Sequence, residues 1–286
     1  MSPFGLIMIG IFLTGLTVLL RKRFDLMLER YNDIIIADYP GEEIIGEENV
    51  TENNWKAVVK THIGELERIL SSQDNWADEF EKDVDVKRNF LVQSKKVSGV
   101  YAVKKTPLTR AAWYVQRCND QKIFDFLISV EGFGIIDPFT SSDQHKKKPL
   151  YEFQSSNDSA ETSLDRYFVT YGHFSWPLDA VDFLVLNSIQ RSERLFVSKS
   201  VQSDAVPGAS SVYRGRPSPR HRAATHFGLK VSAAGPGQCR VGAFQVSPDV
   251  GPLSDPAISY LLSTFLLFPT MRSKIEKLAA QGAFMD

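Results

Sequence analysis

The sequence predicts an α+β protein in which an antiparallel sheet is covered by a long C-terminal helix. Two observations carry the prediction. Between residues 150 and 246, short runs rich in β-branched and aromatic residues follow one another closely, the pattern of an antiparallel meander. From residue 255 to 281 the apolar side chains recur at helical spacing instead, and over the first half they cover most of the circumference. A helix apolar on so many sides has to be buried, and the open face of the sheet is the place for it.

The chain has 286 residues, 43% hydrophobic and 23% charged, which leaves ample apolar surface for a core. A net charge of −1 supplies no overall field for nucleic acid, so no nucleic-acid partner is expected. Residues 1–20 contain no charged side chain, and Arg21, Lys22 and Arg23 follow at once. As a helix, residues 3–20 would span roughly 27 Å, close to the hydrocarbon core of a thin bilayer. A secretory signal carries its basic residues before the apolar stretch and a small-residue cleavage site after it. Residues 1–20 therefore read as a retained single-pass transmembrane anchor, with a cleaved signal and a buried soluble helix as the alternatives. The positive-inside rule places the remainder in the cytoplasm, and the short span favours a thin membrane such as the endoplasmic reticulum. Residues 21–50 form a basic juxtamembrane segment and an acidic linker broken by Pro40, Gly41 and Gly46, and a folded domain is expected over residues 51–286.

Within that domain, residues 54–70 repeat apolar side chains at helical spacing: Trp55, Val58, Val59, Ile63, Leu66, Ile69 and Leu70. Residues 83–103 read as two strands around Ser98-Gly99. Residues 106–127 read as a second helical stretch, capped by Thr106 with Pro107 in its first turn and divided near Asn119-Asp120. Strands are expected at 150–154, 165–172, 181–188, 194–200, 225–232 and 238–246, with a long connection over 202–222. Asp255 and Pro256 start the last helix, which Pro269 should kink near Phe265.

The segment Trp176-Pro177-Leu178-Asp179-Ala180-Val181-Asp182-Phe183 resembles the W-P-x-S/D-x-R-D-F/Y stretch of START lipid-transfer domains. The element order and the strand Cys239-Arg240-Val241, leading into a Pro/Gly loop and the last helix, resemble that family as well, over residues 51–281. Two departures stand out. Val181 replaces the family's Arg, and Ser247-Pro248-Asp249-Val250-Gly251-Pro252-Leu253 stands where Asp-Pro-Gly-Gly is frequent. The resemblance implies the helix-grip architecture, a curved sheet around the C-terminal helix, with one apolar lipid held in a cavity beneath that helix. By this reading Arg240 and Phe244, on one face of their strand, and Leu262, Phe265 and Leu266 on the helix contact the lipid. For Arg240, snorkelling or an ordinary ion pair is the competing role. Trp176, Pro177 and Leu178, with Val250, Gly251, Pro252 and Leu253, would border the mouth as lid and membrane contacts, unless they pack on the core or merely connect elements.

Chemistry beyond binding finds little support. There is no GxSxG, Walker loop, HExxH or helix-opening GxGxxG, and the five histidines lack metal-ligand spacing. No catalytic residue, metal or cofactor is expected. Cys118 and Cys239 are far apart in sequence and read as buried free thiols. The basic clusters Arg214–Arg222 and His145–Lys148 are either solvated loops or membrane-facing patches. The rival functions are a scaffold without a lipid and an enzyme of the helix-grip superfamily acting on a bulky apolar substrate.

Overall fold

A computed structural model describes residues 47–72, 77–78, 90–97, 106–129, 132, 149–154, 165–174, 181–202, 221–222, 224–246 and 267–285, all within the unit Ala37–Asp286. Among the described residues no helix is long and apolar enough to cross a membrane, and the expected anchor at 1–20 lies outside them.

Among the described residues ten strands form one sheet: β1 (Ala77–Asp78), β2 (Leu91–Val97), β3 (Thr106–Gln116), β4 (Tyr151–Phe153), β5 (Arg166–Phe174), β6 (Val181–Gln190), β7 (Leu195–Ser200), β8 (His221–Arg222), β9 (His226–Gly235) and β10 (Gln238–Val246). Their order is β1-β2-β3-β10-β9-β7-β6-β5-β4, every neighbour antiparallel, with short β8 alongside β6 in parallel. The six strands expected after residue 150 all form. The C-terminal strand β10 returns between β9 and β3, so the early hairpin and the later meander share one sheet.

Both faces of the central strands are covered. Helix α1 (Trp55–Ser71) buries Trp55, Val59, His62, Leu66 and Ile69, a stripe at spacings of three and four. It lies on the face formed by Leu108, Leu195, Val197, Phe244 and Val246. Gly228 and Gly242 make that approach possible: a Cβ on Gly228 would stand 2.5 Å from Leu66 and 2.2 Å from Phe244, and one on Gly242 would stand 3.3 Å from Leu70. The opposite face carries Ala111, Trp113, Val115, Cys239, Val241 and Ala243, and meets helices α2 (Asp120–Leu127) and α3 (Phe268–Ala280).

Residues 106–116 correct the sequence reading. They form an eleven-residue strand where a helix was expected. Leu108 and Thr109 are both fully buried, because α1 covers one side of β3 and α3 the other. The apolar run is therefore nearly continuous and hides the period of two. The break near Asn119 is found: Asn119 caps α2, its side chain accepting from the backbone N–H of Gln121 (2.9 Å) and Lys122 (3.2 Å). Helix α3 carries Pro269 in its first turn. The expected upper half, from Asp255 to Leu266, and its kink near Phe265 fall outside the described residues.

Candidate functional site

The face beneath α3 is apolar with one interruption. Reading across the register, Ser94 pairs with Thr109, Thr109 with Gln245, Gln245 with Phe227, Phe227 with Ser198, and Ser198 with Asn187. Alternation along each strand puts all six on the same side as Ala111, Ala243, Phe196 and Ile189. A row that is polar except at Phe227 therefore crosses the sheet one pleat beyond the row of Ala111, Ala243, Phe196 and Ile189. Arg272 of α3 lies over the Phe90 ring at 4.7 Å, and Phe90 meets Trp113 edge-on at 6.1 Å, which fixes the helix along the strands.

Two groups in the row lack a partner. Thr109 is fully buried, and neither its Oγ1 nor the buried Oε1 of Gln245 has a hydrogen-bond partner among the described residues. Nor does Nε1 of fully buried Trp113, two pleats away on the same strand face. Asn187, by contrast, donates from Nδ2 to Thr170 Oγ1 at 2.8 Å. A buried polar group left unsatisfied costs about 1–3 kcal/mol, so this adjacent pair is a place where a partner from outside the described residues, whether protein, water or ligand, would be stabilised. His62 Nδ1 and Ser188 Oγ on the α1 face also lack a hydrogen-bond partner among the described residues, whereas Thr109 and Gln245 are direct cross-strand neighbours.

The charged groups gather on the other side, under α1. Lys199, 1% exposed, donates to Glu65 Oε2 at 2.9 Å and reaches Glu48 Oε1 at 3.4 Å. His62 Nε2 meets Glu48 Oε2 at 2.6 Å, and His226 Nδ1 lies 3.8 Å from Glu65. Burial alone would raise the Glu48 pKa, but the hydrogen bond and charge of His62, aided by Lys199, outweigh it and hold the carboxyl below its ordinary value. Glu48 also bridges to Val201, and Val50 is fully buried, so packing begins ahead of residue 51. This network seals α1 onto the sheet. Among the described residues no group of three or more His, Cys, Asp and Glu is arranged to hold a metal.

Of the residues the sequence put forward, Phe244 and Arg240 are placed elsewhere than expected. Phe244 is fully buried on the α1 face, edge-on to His226 at 4.6 Å, and Arg240 on that same face is exposed. Neither lies beneath α3, because the β10 positions facing α3 are the odd-numbered ones. Leu262, Phe265, Leu266, Trp176, Pro177, Leu178, Val250, Gly251, Pro252 and Leu253 lie outside the described residues. The row containing Thr109 and Gln245 was missed. Its signal is a polar side chain inside an apolar strand run, Thr109 next to Leu108 and half-buried Gln245 between Phe244 and Val246.

No family model matches the chain, and no curated protein does. Solved structures with a similar backbone include human STARD10, at 15% identity over 83% of this chain and 84% of that one, with a TM-score of 0.49. A STAR-related lipid transfer protein from Xanthomonas axonopodis matches at 13% identity over 71% of this chain and 99% of that one, with a TM-score of 0.41. The human StarD13 (DLC2) lipid transfer and protein localization domain matches at 13% identity over 80% and 96%, with a TM-score of 0.37. At these scores the likeness carries no functional weight. The architecture stands on the chain's own strand order and register: a large antiparallel sheet with the C-terminal helix across one face.

Proposed function

We propose that this chain is a membrane-tethered lipid-binding protein that holds one apolar lipid between the sheet and the C-terminal helix, without covalent chemistry. The observation that carries the reading is the pair Thr109 Oγ1 and Gln245 Oε1, without a partner among the described residues, in a polar row on the largely apolar face that α3 covers. Apolar burial, at about 25 cal/mol per Å², supplies the binding energy, and the polar row receives the lipid's polar end. The uncharged stretch 1–20 followed by Arg21-Lys22-Arg23 supports a bilayer anchor with the domain in the cytoplasm, the endoplasmic reticulum being the favoured membrane. Trp176 and Leu178, with residues 250–253, are the segments we assign to the bilayer-facing lid.

A photoactivatable lipid carrying its diazirine near the polar end tests this on the full chain. The expected cross-links fall on peptides holding Thr109 and Gln245. Labelling confined to residues 1–23 would mean that lipid surrounds the anchor only, and would overturn the reading.

A further inference from the structure

Cys118 and Cys239 stand 121 positions apart in sequence, yet Cys118 Sγ–H donates to Cys239 Sγ at 2.8 Å. The backbone holds them there. Strand β3 ends at Gln116, and Arg117 turns the chain with a left-handed φ of 56°. The Cys118 N–H then donates to the carbonyl of Gly237, itself at φ 64° in the turn between β9 and β10. Asn119 opens α2 immediately afterwards, and its N–H donates to the Phe284 carbonyl at 2.8 Å, anchoring the tail behind α3. Both thiols are free, and both line a pocket of about 330 Å³ together with Arg117, Asp120, Gln238 and Phe284. The chain has no other cysteine.

We propose that Cys118 and Cys239 form a redox modification site: a dithiol pair, juxtaposed where β3 hands over to α2 beside the β9–β10 turn, that closes reversibly to an intramolecular disulfide. The oxidant is a peroxide or a small disulfide admitted by the adjoining pocket. With hydrogen peroxide, one sulfur attacks the O–O bond and becomes a sulfenic acid, and the departing hydroxide takes up the thiol proton to give water. The second thiol displaces the sulfenic hydroxyl as a second water and completes the S–S bond. Two electrons pass from the two sulfurs to the peroxide. With a small disulfide the route is a mixed disulfide, and two small thiols leave. Closure needs the sulfurs to approach from 2.8 Å to about 2.05 Å, a shift of less than an ångström.

Burial pushes both thiols up in pKa, and the Asp120 carboxylate adds to the effect, so each stays protonated near neutral pH and the first step is slow. The second step is fast, because the partner sulfur is already within attack distance. The closed form ties the start of α2 to the β9–β10 turn at the corner where the α3 tail is anchored.

The full chain in mild detergent, treated with hydrogen peroxide or oxidised dithiothreitol, is denatured, alkylated with N-ethylmaleimide and weighed intact. The reduced chain takes two labels. The oxidised chain takes none, is lighter by two hydrogens, remains monomeric and regains two labels after dithiothreitol, and closure accelerates as pH rises. The folded chain closes at a ratio of oxidised to reduced dithiothreitol at least about tenfold lower than the urea-unfolded chain, because the fold supplies the proximity. In C118S and C239S the loss of two hydrogens disappears. A covalent dimer, a product heavier by two oxygens, or closure no easier in the folded chain than in urea would overturn the proposal; the urea comparison needs no variant that folds.

Discussion

Replacing Thr109 with valine separates a ligand-binding role from a packing role by the sign of two effects. The side chain is fully buried and its hydroxyl has no partner among the described residues, so in the lipid-free chain that oxygen is a liability of about 1–3 kcal/mol. Valine keeps the branched shape, suits a strand and removes the unmade hydrogen bond. The lipid-free T109V chain is therefore expected to be more stable by about 1–2 kcal/mol, a rise of roughly 2–6 °C in melting temperature for a unit of this size. In the loaded chain the hydroxyl has found its partner on the lipid, and T109V loses a hydrogen bond worth about 1 kcal/mol; added to the stabilised lipid-free state, this weakens retention by about 2–3 kcal/mol, roughly 30- to 160-fold. Differential scanning calorimetry of delipidated full chain reads the first effect, and competition against labelled lipid reads the second. A T109V chain that melts lower when lipid-free, or that retains lipid as the parent does, would refute the assignment of this row to the ligand.

Three further outcomes are expected on the α1 side of the sheet. Gly228→Ala places a Cβ 2.2 Å from Phe244 and 2.5 Å from Leu66, and should cost about 1–3 kcal/mol in urea unfolding; a neutral result would mean that α1 is not seated against β9. Lys199→Met leaves Glu65 without its buried cation and should lower stability by about 3–5 kcal/mol, whereas Lys230→Met, at an exposed pair with Glu67, should change it by about 0–1 kcal/mol in the same titration. Because the folded-state pKa of Glu48 is held below its ordinary value of 4.5, its contribution is present above that pH and lost as pH falls through the folded value. Melting curves between pH 6 and 3 should accordingly show a steeper loss for the parent than for Glu48→Gln, and parallel curves would contradict the His62–Glu48 contact.

The strands after residue 150 were legible because each is bounded by turn residues and built from β-branched and aromatic side chains, as in Tyr167–Tyr171 and Phe183–Leu186. The segment 106–116 was not. Thr106-Pro107 has the chemistry of a helix start, and burial on both faces removes the alternation that would have marked a strand. The same physics misdirected the site. Parity divides β10 into an even set with Phe244 and an odd set with Ala243, but both sets are buried at the strand centre, and nothing in the pattern says which one faces the C-terminal helix. That choice is made by Gly228 and Gly242, which admit α1 on the even side. The thiol contact was equally hidden, since it depends on a left-handed Arg117 and the returning β9–β10 turn rather than on sequence spacing.

The most direct test of the central claim is to purify the full chain in mild detergent, extract it with organic solvent and count the lipids released per chain by mass spectrometry, with T109V alongside. About one lipid of a single chemical class is expected per parent chain, and substantially less from T109V. A parent chain that yields no stoichiometric lipid, even after incubation with mixed liposomes, would contradict that claim.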